Sequence, residues 1–336
     1  MTQTHSRRTF VTGLTATTVA ALAANLAPSF AEAPPEVTTI RLPKNFRAVC
    51  ETPKNVATNL LRAEGFTNVI FVEPDIEADQ FQMLVEGELD FTTDFAPPNL
   101  QALEAGKPIK VLAGLHSGCL ELIATEDIRG IPDLRGKRVG VFSLNNAPHI
   151  LVSLMAAYVG LDPVRDIEWV ESPDAGPMQL FNEGKIEAFL GAPPEPQEQR
   201  ARNFGHTILN TSVDRPWSQH FCCMIASSSR FVETCPVATK RVLRAILKAA
   251  DMCASDPEQA ARLSVEGQFT DGYDYAVEGL KDARFDRWRE FDPEDTLRFY
   301  ALRMHEVGFL KPNPNSIVAT GSNWSFLDEL KRELKT

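Results

Sequence analysis

The stretch AGLHSGCLEL, residues 113–122, holds the side chains of this chain most able to do chemistry. It places an imidazole, a hydroxyl and a thiol within four positions, at His116, Ser117 and Cys119. A Cys/His pair acts as a nucleophile when the thiol reaches the imidazole and a third group orients the ring. In an extended chain, residues three apart point to opposite sides, and no base or oxyanion-hole motif accompanies them. We therefore predict no catalytic residue and a loop that recognises a ligand.

A metal site is the other chemistry that these residue types could support. His116 and Cys119 could combine with His149 or His220, but that spacing fits no known zinc cluster. The six cysteines show no CxxC spacing, and the adjacent pair Cys222–Cys223 is expected to point to opposite faces of a strand. We expect buried, inert thiols and neither a metal nor a cofactor, and we leave open whether any cysteines form disulfides.

The N-terminus has the features of an export signal. Arg7 and Arg8 precede a mildly apolar run that ends near Ala27, and the run is too short and too rich in Thr and Ala for a membrane span. The order of these features resembles a twin-arginine signal. Small residues favour cleavage after Ala31, so residues 1–31 are predicted to be removed from an exported, periplasmic protein.

The charge of the mature chain limits the classes of partner. Without the signal, 34 − 2 = 32 basic residues face 45 acidic ones, a formal charge of −13. There is no basic excess to displace counterions from phosphates, which argues against a nucleic-acid partner. A site's local field can oppose the net charge, so an anionic ligand stays possible.

An internal repeat predicts the fold. Residues 86–98 read EGELDFTTDFAPP and residues 183–194 read EGKIEAFLGAPP, about a hundred positions apart. A period of this length indicates a duplicated α/β unit and no solenoid. Each copy reads strand, helix, strand, helix, strand, which is typical of parallel, doubly wound sheets. From Pro236 onward, apolar residues at helical spacing predict helices to the C-terminus.

Three segments carry a resemblance to a known family. These are LLRAEGFTNV, GELDFTTDFAPPNLQALEAGKPIKVLAGLHSGCLEL and the run that starts DLRGKRVGV and ends at DIEWV. They resemble type II substrate-binding proteins of ABC importers, in the group that includes nitrate, sulfonate and taurine binders and carriers of the thiamine pyrimidine precursor. The resemblance implies a two-lobed α/β periplasmic-binding-protein fold, each lobe a doubly wound, mainly parallel sheet, with added C-terminal helices.

The same resemblance implies lobe boundaries and a role. Lobe 1 would comprise residues 32–123 and 224–336 and lobe 2 residues 124–223, with the chain crossing near 122–135 and returning near 215–228. The implied function is capture of a small polar or anionic organic ligand in the interlobe cleft by a monomer that serves an inner-membrane ABC permease. The alternative is an enzyme on this fold that resembles a pyrimidine-precursor synthase, but such relatives carry a cysteine-rich run and this chain has isolated cysteines.

Ligands of open α/β sheets lie at the carboxyl ends of strands, so the strand-end loops supply the candidate contacts. Three of these residues also have a structural explanation. Arg47 could bind an anion or lie on the surface, and Asp94 could accept a ligand N–H or cap a helix. Glu195 could contact the ligand or be a solvated loop charge. Trp217 could stack on a flat ligand or brace the hinge. The full set of predicted contacts is Phe46, Arg47, Asp94, Phe95, His116, Cys119, Ser143, Asn145, Asn146, His149, Asp174, Pro193, Glu195 and Trp217.

Overall fold

The computed structural model describes residues 32–45, 49–75, 78–311 and 313–334. Nearly all of these belong to one compact unit, Pro35–Thr336. No helix within the described ranges is long and apolar enough to cross a membrane. The predicted export signal, residues 1–31, and the predicted contacts Phe46 and Arg47 lie outside the described residues.

The first copy of the repeat forms the elements that the sequence predicts. Helix α3 begins where Asp79 accepts a hydrogen bond from the backbone N–H of Gln82 (3.0 Å) and ends at Gly87, in the left-handed region. The segment that follows the 3-10 turn forms two short helices, α1 (Thr52–Val56) and α2 (Thr58–Ala63), which are divided at Ala57. The elements are β1 (Thr39–Pro43), a 3-10 turn (Val49–Glu51), α1 (Thr52–Val56), α2 (Thr58–Ala63), β2 (Asn68–Val72), α3 (Gln80–Glu86), β3 (Phe91–Phe95), α4 (Ala96–Glu104) and β4 (Ile109–Ser117).

The second copy follows the same order. Asn146 caps α5 by accepting a hydrogen bond from the backbone N–H of His149 (3.0 Å), as Asp79 does for α3. The elements are β5 (Glu121–Ala124), a 3-10 turn (Ile131–Leu134), β6 (Lys137–Val141), α5 (Ala147–Tyr158), β7 (Ile167–Glu171), α6 (Pro177–Asn182), β8 (Ala188–Gly191), α7 (Glu195–Arg202) and β9 (His206–Asn210).

The remaining chain is mostly helical, as predicted. The backbone N–H groups of Val237 and Ala238 at the start of the long helix α9 donate to Glu36 (2.9 and 2.8 Å), which anchors the N-terminal segment. The elements are a 3-10 turn (Trp217–Gln219), β10 (Phe221–Ser228), α8 (Ser229–Thr234), α9 (Pro236–Ser255), α10 (Pro257–Glu266), α11 (Tyr273–Asp282), a 3-10 turn (Phe285–Arg289), α12 (Pro293–Glu306), α13 (Pro314–Gly321) and α14 (Ser325–Glu333).

Strand pairing is mixed, where mainly parallel sheets were predicted. Strands β1 and β2 form a parallel pair, the order β3-β10-β4 is antiparallel throughout, and the five-stranded sheet has the order β7-β6-β8-β5-β9. In that sheet β6 pairs parallel with β7 and β8, whereas β5 pairs antiparallel with β8 and β9. Strands β5 and β10 follow the two crossings between sheets, and each runs antiparallel to both of its neighbours, so the chain enters each sheet against the direction of the strands beside it.

Two links join the three-stranded and five-stranded sheets. Residues 118–120 lead from β4 to β5, and residues 211–220 lead from β9 back to β10. Both changes of sheet come a few residues earlier in the chain than the crossings predicted near 122–135 and 215–228. The predicted division into two separately moving lobes stays a prediction.

Hydrogen bonds of Thr211 hold the two links together. Its hydroxyl lies 2.9 Å from the backbone N of Leu120 and 3.2 Å from that of Cys119, and its own backbone N–H donates to the Leu120 carbonyl (2.9 Å). Thr211 is 5% exposed. These bonds satisfy the backbone where it leaves one sheet and has not yet joined the next.

Gly118 allows the sharp turn in the first link, because its φ is +64° and a Cβ at this position would meet the Cα of Ser212 at 2.3 Å. We predict that Gly118→Ala lowers the free energy of unfolding by about 3 kcal/mol, through left-handed strain and overpacking. The matched control is Gly136→Ala, where φ is +71° but nothing lies within 4 Å; strain alone predicts a loss of about 1 kcal/mol. Urea unfolding measures both, and equal losses would contradict the close packing at Gly118.

Candidate ligand-binding site

A cavity of about 380 Å³ lies between the strand ends of the three-stranded and five-stranded sheets. One wall consists of residues of the three-stranded sheet and of the 3-10 turn before α1. The other consists of the loops after β6 and β8 and the start of α6. A cavity of this volume accommodates a small organic molecule. Its lining consists of Cys50, Glu51, Asp94, Phe95, Phe142, Met178, Ala192, Pro193, Pro194, Glu195 and Cys223.

The residues just before the first Ala-Pro-Pro segment and the second Ala-Pro-Pro segment itself lie on opposite walls of this cavity. Strand β3 ends in Asp94 and Phe95, and the following helix α4 is held to that end by Asn99, whose amide donates to the carbonyls of both residues (3.2 and 2.9 Å). On the other wall, Glu195 opens α7 and accepts a hydrogen bond from the backbone N–H of Ala192 (3.2 Å). The repeat therefore places one carboxylate on each wall.

Three carboxyl groups face the cavity. Glu51 is paired with the buried Lys54 and accepts hydrogen bonds from the Asn45 amide (3.0 Å). Asp94 accepts one hydrogen bond from the backbone N–H of Phe95 (2.7 Å). Burial raises the pKa of Asp94 to about 7, and the negative charges of Glu51 and Cys50 add to the shift. The described lining contains no Lys, Arg or His residue.

The rest of the lining is apolar. Phe95 lies on one wall, and Phe142 lies on the other with Met178, Pro193 and Pro194. Phe142 is 42% exposed, so part of its ring is open to solvent. Aromatic rings on two walls of one cavity suit a flat ligand.

Four thiols and one imidazole form a buried cluster at the floor of the cavity. Cys50 and Cys223 line the cavity, and behind them the Cys119 Sγ lies 3.4 Å from the Cys222 Sγ. The ligand atoms of Cys50, His116 and Cys119 all lie within 4.8 Å of one another. Hydrogen bonds from the thiols of Cys119 and Cys223 hold the pKa of the Cys50 thiol well below its usual range, against the opposing effect of burial.

The expectation that Cys222 and Cys223 point to opposite faces is not met. The register of β10 against β4 shifts between Phe221 and Cys223, and again between Cys223 and Met224. Such a bulge redirects side chains from strict alternation. The two neighbouring thiols consequently interact with each other and with the same cluster.

Four of the predicted contacts, Asp94, Phe95, Pro193 and Glu195, line the cavity. His116 and Cys119 lie below its floor, 0% and 3% exposed. Asp174 lines an adjoining cavity of about 490 Å³ that shares Phe142, Met178 and Glu195 with the first.

Of the remaining predicted contacts in the described ranges, three have structural roles and two are exposed on the surface. Asn146 caps α5, and the His149 ring packs on Trp169 and Phe309, with centroids 4.5 and 5.5 Å apart. Ser143 and Asn145 are exposed in the loop before α5. Trp217 is 2% exposed and packs on Tyr158, Phe299 and Tyr300, so it braces the return link.

Several residues of the lining were not predicted from the sequence. They include Cys50, Glu51, Phe142, Met178 and Cys223. Phe142 follows β6 directly, so the rule that ligands lie at strand ends would have found it. Glu51 carries a weaker signal, since it precedes the Thr-Pro start of α1. Cys223 carries no signal in the sequence, because the bulge in β10 decides its direction.

The raised pKa of Asp94 predicts a pH-dependent stability. The carboxyl stays protonated in the folded protein up to about pH 7 but ionises in the unfolded chain near its ordinary pKa of 3.8. The free energy of unfolding therefore falls as pH rises from about 4 to 7, by about 2 kcal/mol because the carboxyl still faces the cavity. Urea unfolding across this range should show that Asp94→Asn removes the fall, whereas the control Asp174→Asn, at an exposed aspartate, leaves it. Identical profiles for wild type and Asp94→Asn would contradict the assignment.

Several solved structures with a similar fold are binding proteins. The periplasmic nitrate-binding protein NrtA from Synechocystis PCC 6803 has a TM-score of 0.76 at 16% identity, over 90% of each chain. The alkanesulfonate-binding protein SsuA from Xanthomonas axonopodis pv. citri, bound to MOPS, has a TM-score of 0.68 at 18% identity, over 86% of this chain and 99% of that one. SsuA from Escherichia coli, an aliphatic sulphonate-binding protein, has a TM-score of 0.66 at 15% identity, over 84% and 91%.

At such identities the likeness establishes the fold alone, and the predicted type II periplasmic-binding-protein fold is confirmed. A search of curated proteins found no match. The family profile described as NMT1/THI5 like matches residues 62–260, more than half of the chain. This range takes in β3, the floor cluster except Cys50, and the whole five-stranded sheet, and on this match the chain belongs to the NMT1/THI5-like family.

Proposed function

We propose that this protein is the solute-binding component of an ABC importer, which captures a small polar organic ligand between its two sheets and delivers it to a permease. The observation that carries this proposal is the cavity that both sheets line, with Asp94 and Phe95 on one wall and Pro193 and Glu195 on the other. Membership of the NMT1/THI5-like family and the fold shared with nitrate- and sulfonate-binding proteins support it. A periplasmic location and a monomeric state belong to the same proposal.

Contacts beside the cavity provide a means of closure. Arg200 and Gln197 of α7 reach across to Asp282 at the end of α11, at 2.7 and 2.9 Å. Arg200 also pairs with Glu121 of β5 (2.6 Å). The two ion pairs of Arg200 therefore connect β5, which follows the first link, to the end of α11. Breaking the α7–α11 contact would let the walls separate about the two links, which is the hinge motion that ligand capture requires.

The charge of the cavity favours one class of ligand. Glu51, Asp94 and Glu195 present acceptor oxygens, and the described lining offers no cationic side chain to an anion. A bare nitrate or sulfonate would find carboxyl oxygens and no cationic side chain in the described lining, which is unfavourable for an anion in a half-buried site. We infer a ligand with N–H donors on a flat, partly apolar body, held between Phe95 and Phe142.

The same ligand class fits the alternative function, an enzyme that resembles a pyrimidine-precursor synthase. The low pKa of Cys50, which lines the cavity, is the feature that favours it. We propose capture without bond chemistry, because His116, the imidazole within 4.8 Å of that thiol, is buried below the floor and outside the lining that a substrate would contact.

A ligand screen tests the proposed function. We expect aminopyrimidines or aromatic amines to raise the melting temperature of the mature protein, and nitrate and alkanesulfonates to leave it unchanged, because a ligand stabilises the form that it binds. Above pH 7, where Asp94 is ionised, Asp94→Asn and Glu195→Gln should each weaken the affinity about tenfold through loss of a charged acceptor. Glu168→Gln, at an exposed glutamate of β7, is the matched control.

Three results of this screen would count against the proposal. Stabilisation by sulfonates that grows in Asp94→Asn would overturn the ligand class. Equal affinity in all the variants would place the ligand outside this cavity. A new product in the mass spectrum of the incubated mixture would favour the enzyme.

Export is tested separately from binding. We expect the double variant Arg7→Lys, Arg8→Lys to remain in the cytoplasm with its signal uncleaved, because the twin-arginine pathway reads the arginines themselves and lysine keeps only their charge. The wild-type protein should appear in the periplasmic fraction with Glu32 as its first residue. Arg165→Lys, far from the signal, is the control. Unchanged export of the double variant would show that another pathway carries the protein.

A further inference from the structure

Three polar side chains converge below the cavity from separate parts of the chain. Cys50 lies in the turn before α1, His116 lies near the end of β4, and Cys119 lies in the first link. All three are buried, and the sulfur or nitrogen that each can offer lies within 4.8 Å of the other two. This trio was not foreseen from the sequence, which paired His116 and Cys119 with distant histidines instead.

The His116 ring is held with one nitrogen ready to bind a cation. Its Nδ1 lies 2.8 Å from the Gly118 carbonyl oxygen, which can only accept, so Nδ1 carries the hydrogen and donates. The lone pair is therefore on Nε2. This atom is buried and has no hydrogen-bond partner in the described part of the chain. An unsatisfied buried acceptor costs about 1–3 kcal/mol, and a histidine whose Nδ1–H donates to a carbonyl is oriented as in metal sites.

The backbone holds Cys119 in an unusual conformation beside this ring. Its φ is +143°, a value that non-glycine residues rarely adopt. The hydrogen bond from its N–H to Thr211 (3.2 Å) keeps it there. The ring of Phe285 packs on His116, with centroids 5.0 Å apart, and fixes the other side of the group. Both side chains are thus positioned by the fold and not by each other.

We propose that Cys50 Sγ, His116 Nε2 and Cys119 Sγ bind a thiophilic d10 metal ion, and that this ion is Zn²⁺. Two thiolates and a neutral imidazole balance the charge of Zn²⁺, so the buried site carries no net charge. Zinc bonds of about 2.3 Å to sulfur and 2.0 Å to nitrogen in a tetrahedron require ligand atoms about 3.5 Å apart. The trio, within 4.8 Å, reaches that separation by a contraction of about 1 Å.

The fourth coordination position faces the cavity. Cys50 belongs to both the trio and the cavity lining, and Cys223 lies next to it in the same lining. Three protein ligands with an open fourth position are typical of zinc sites that bind a further molecule. A ligand nitrogen that enters the cavity would then complete the coordination; this last step rests on the proposed function, whereas binding of the ion does not.

The test uses the reduced, metal-free mature protein and zinc alone, titrated against a chromophoric chelator. We expect one equivalent of Zn²⁺ per chain, and at least about a 100-fold loss of affinity in Cys50→Ala and in His116→Gln. Cys253→Ala is the matched control, because Cys253 is a fully buried thiol in α9 outside the cluster. It should bind zinc as the wild type does.

Co²⁺ substitution identifies the ligands independently of affinity. A thiolate-to-cobalt charge-transfer band and intense visible bands of a tetrahedral site should appear in the wild type and in Cys253→Ala, and should weaken in Cys50→Ala. Circular dichroism shows whether each variant is folded, and Cys50→Ala decides the outcome if His116→Gln does not fold. Failure of the wild type to bind zinc would overturn the proposal, as would retained binding in folded Cys50→Ala or exclusive binding of Cu(I).

These outcomes are separate from those of the ligand screen. Zinc binding is measured without any organic ligand, so it can succeed while the proposed transport function fails. An aminopyrimidine that stabilises the metal-free protein as much as the zinc-loaded protein would support the transport function and overturn the open coordination position.

Discussion

The hydroxyl of Thr211 lies where the two links between the sheets run side by side, and its bonds to Cys119 and Leu120 hold them together. The first link has only three residues, so these bonds tie the end of β4 and the start of β5 to the second link. The same bonds keep Cys119 in its strained conformation and so place its thiol at the floor of the cavity. The floor cluster and the spacing of the walls depend on this crossing.

The electrostatics of the cavity follow from what the crossing brings together. Glu51 is paired with the buried Lys54, and burial, together with the negative charge of Glu51, raises the pKa of Asp94. A cavity with this arrangement suits a ligand that donates hydrogen bonds. The charged side chains of the described lining are acidic. Proteins of similar fold nevertheless include nitrate- and sulfonate-binding proteins.

The packing at the floor of the cavity brings together cysteines whose spacing along the chain predicts no common site. Taken along the chain, they are isolated and fit no zinc pattern. In the fold, Cys119 and Cys222 are 103 positions apart in sequence and 3.4 Å apart in space. A metal site assembled from separate segments leaves no periodic signature, so only the packed structure reveals it.

Local sequence determined the elements and the strand ends that bear function. The duplicated Ala-Pro-Pro segments, the order of strands and helices in each copy and the strand-end loops were sufficient to predict the α/β fold and four residues of the lining, since these signals act over a few neighbouring residues. Tertiary structure decided the rest. The mixed pairing of the sheets, the bulge that turns Cys222 and Cys223 into one cluster, and the burial of His116 and Trp217 away from the cavity depend on contacts between distant segments, and their energies are set by packing that no local pattern encodes.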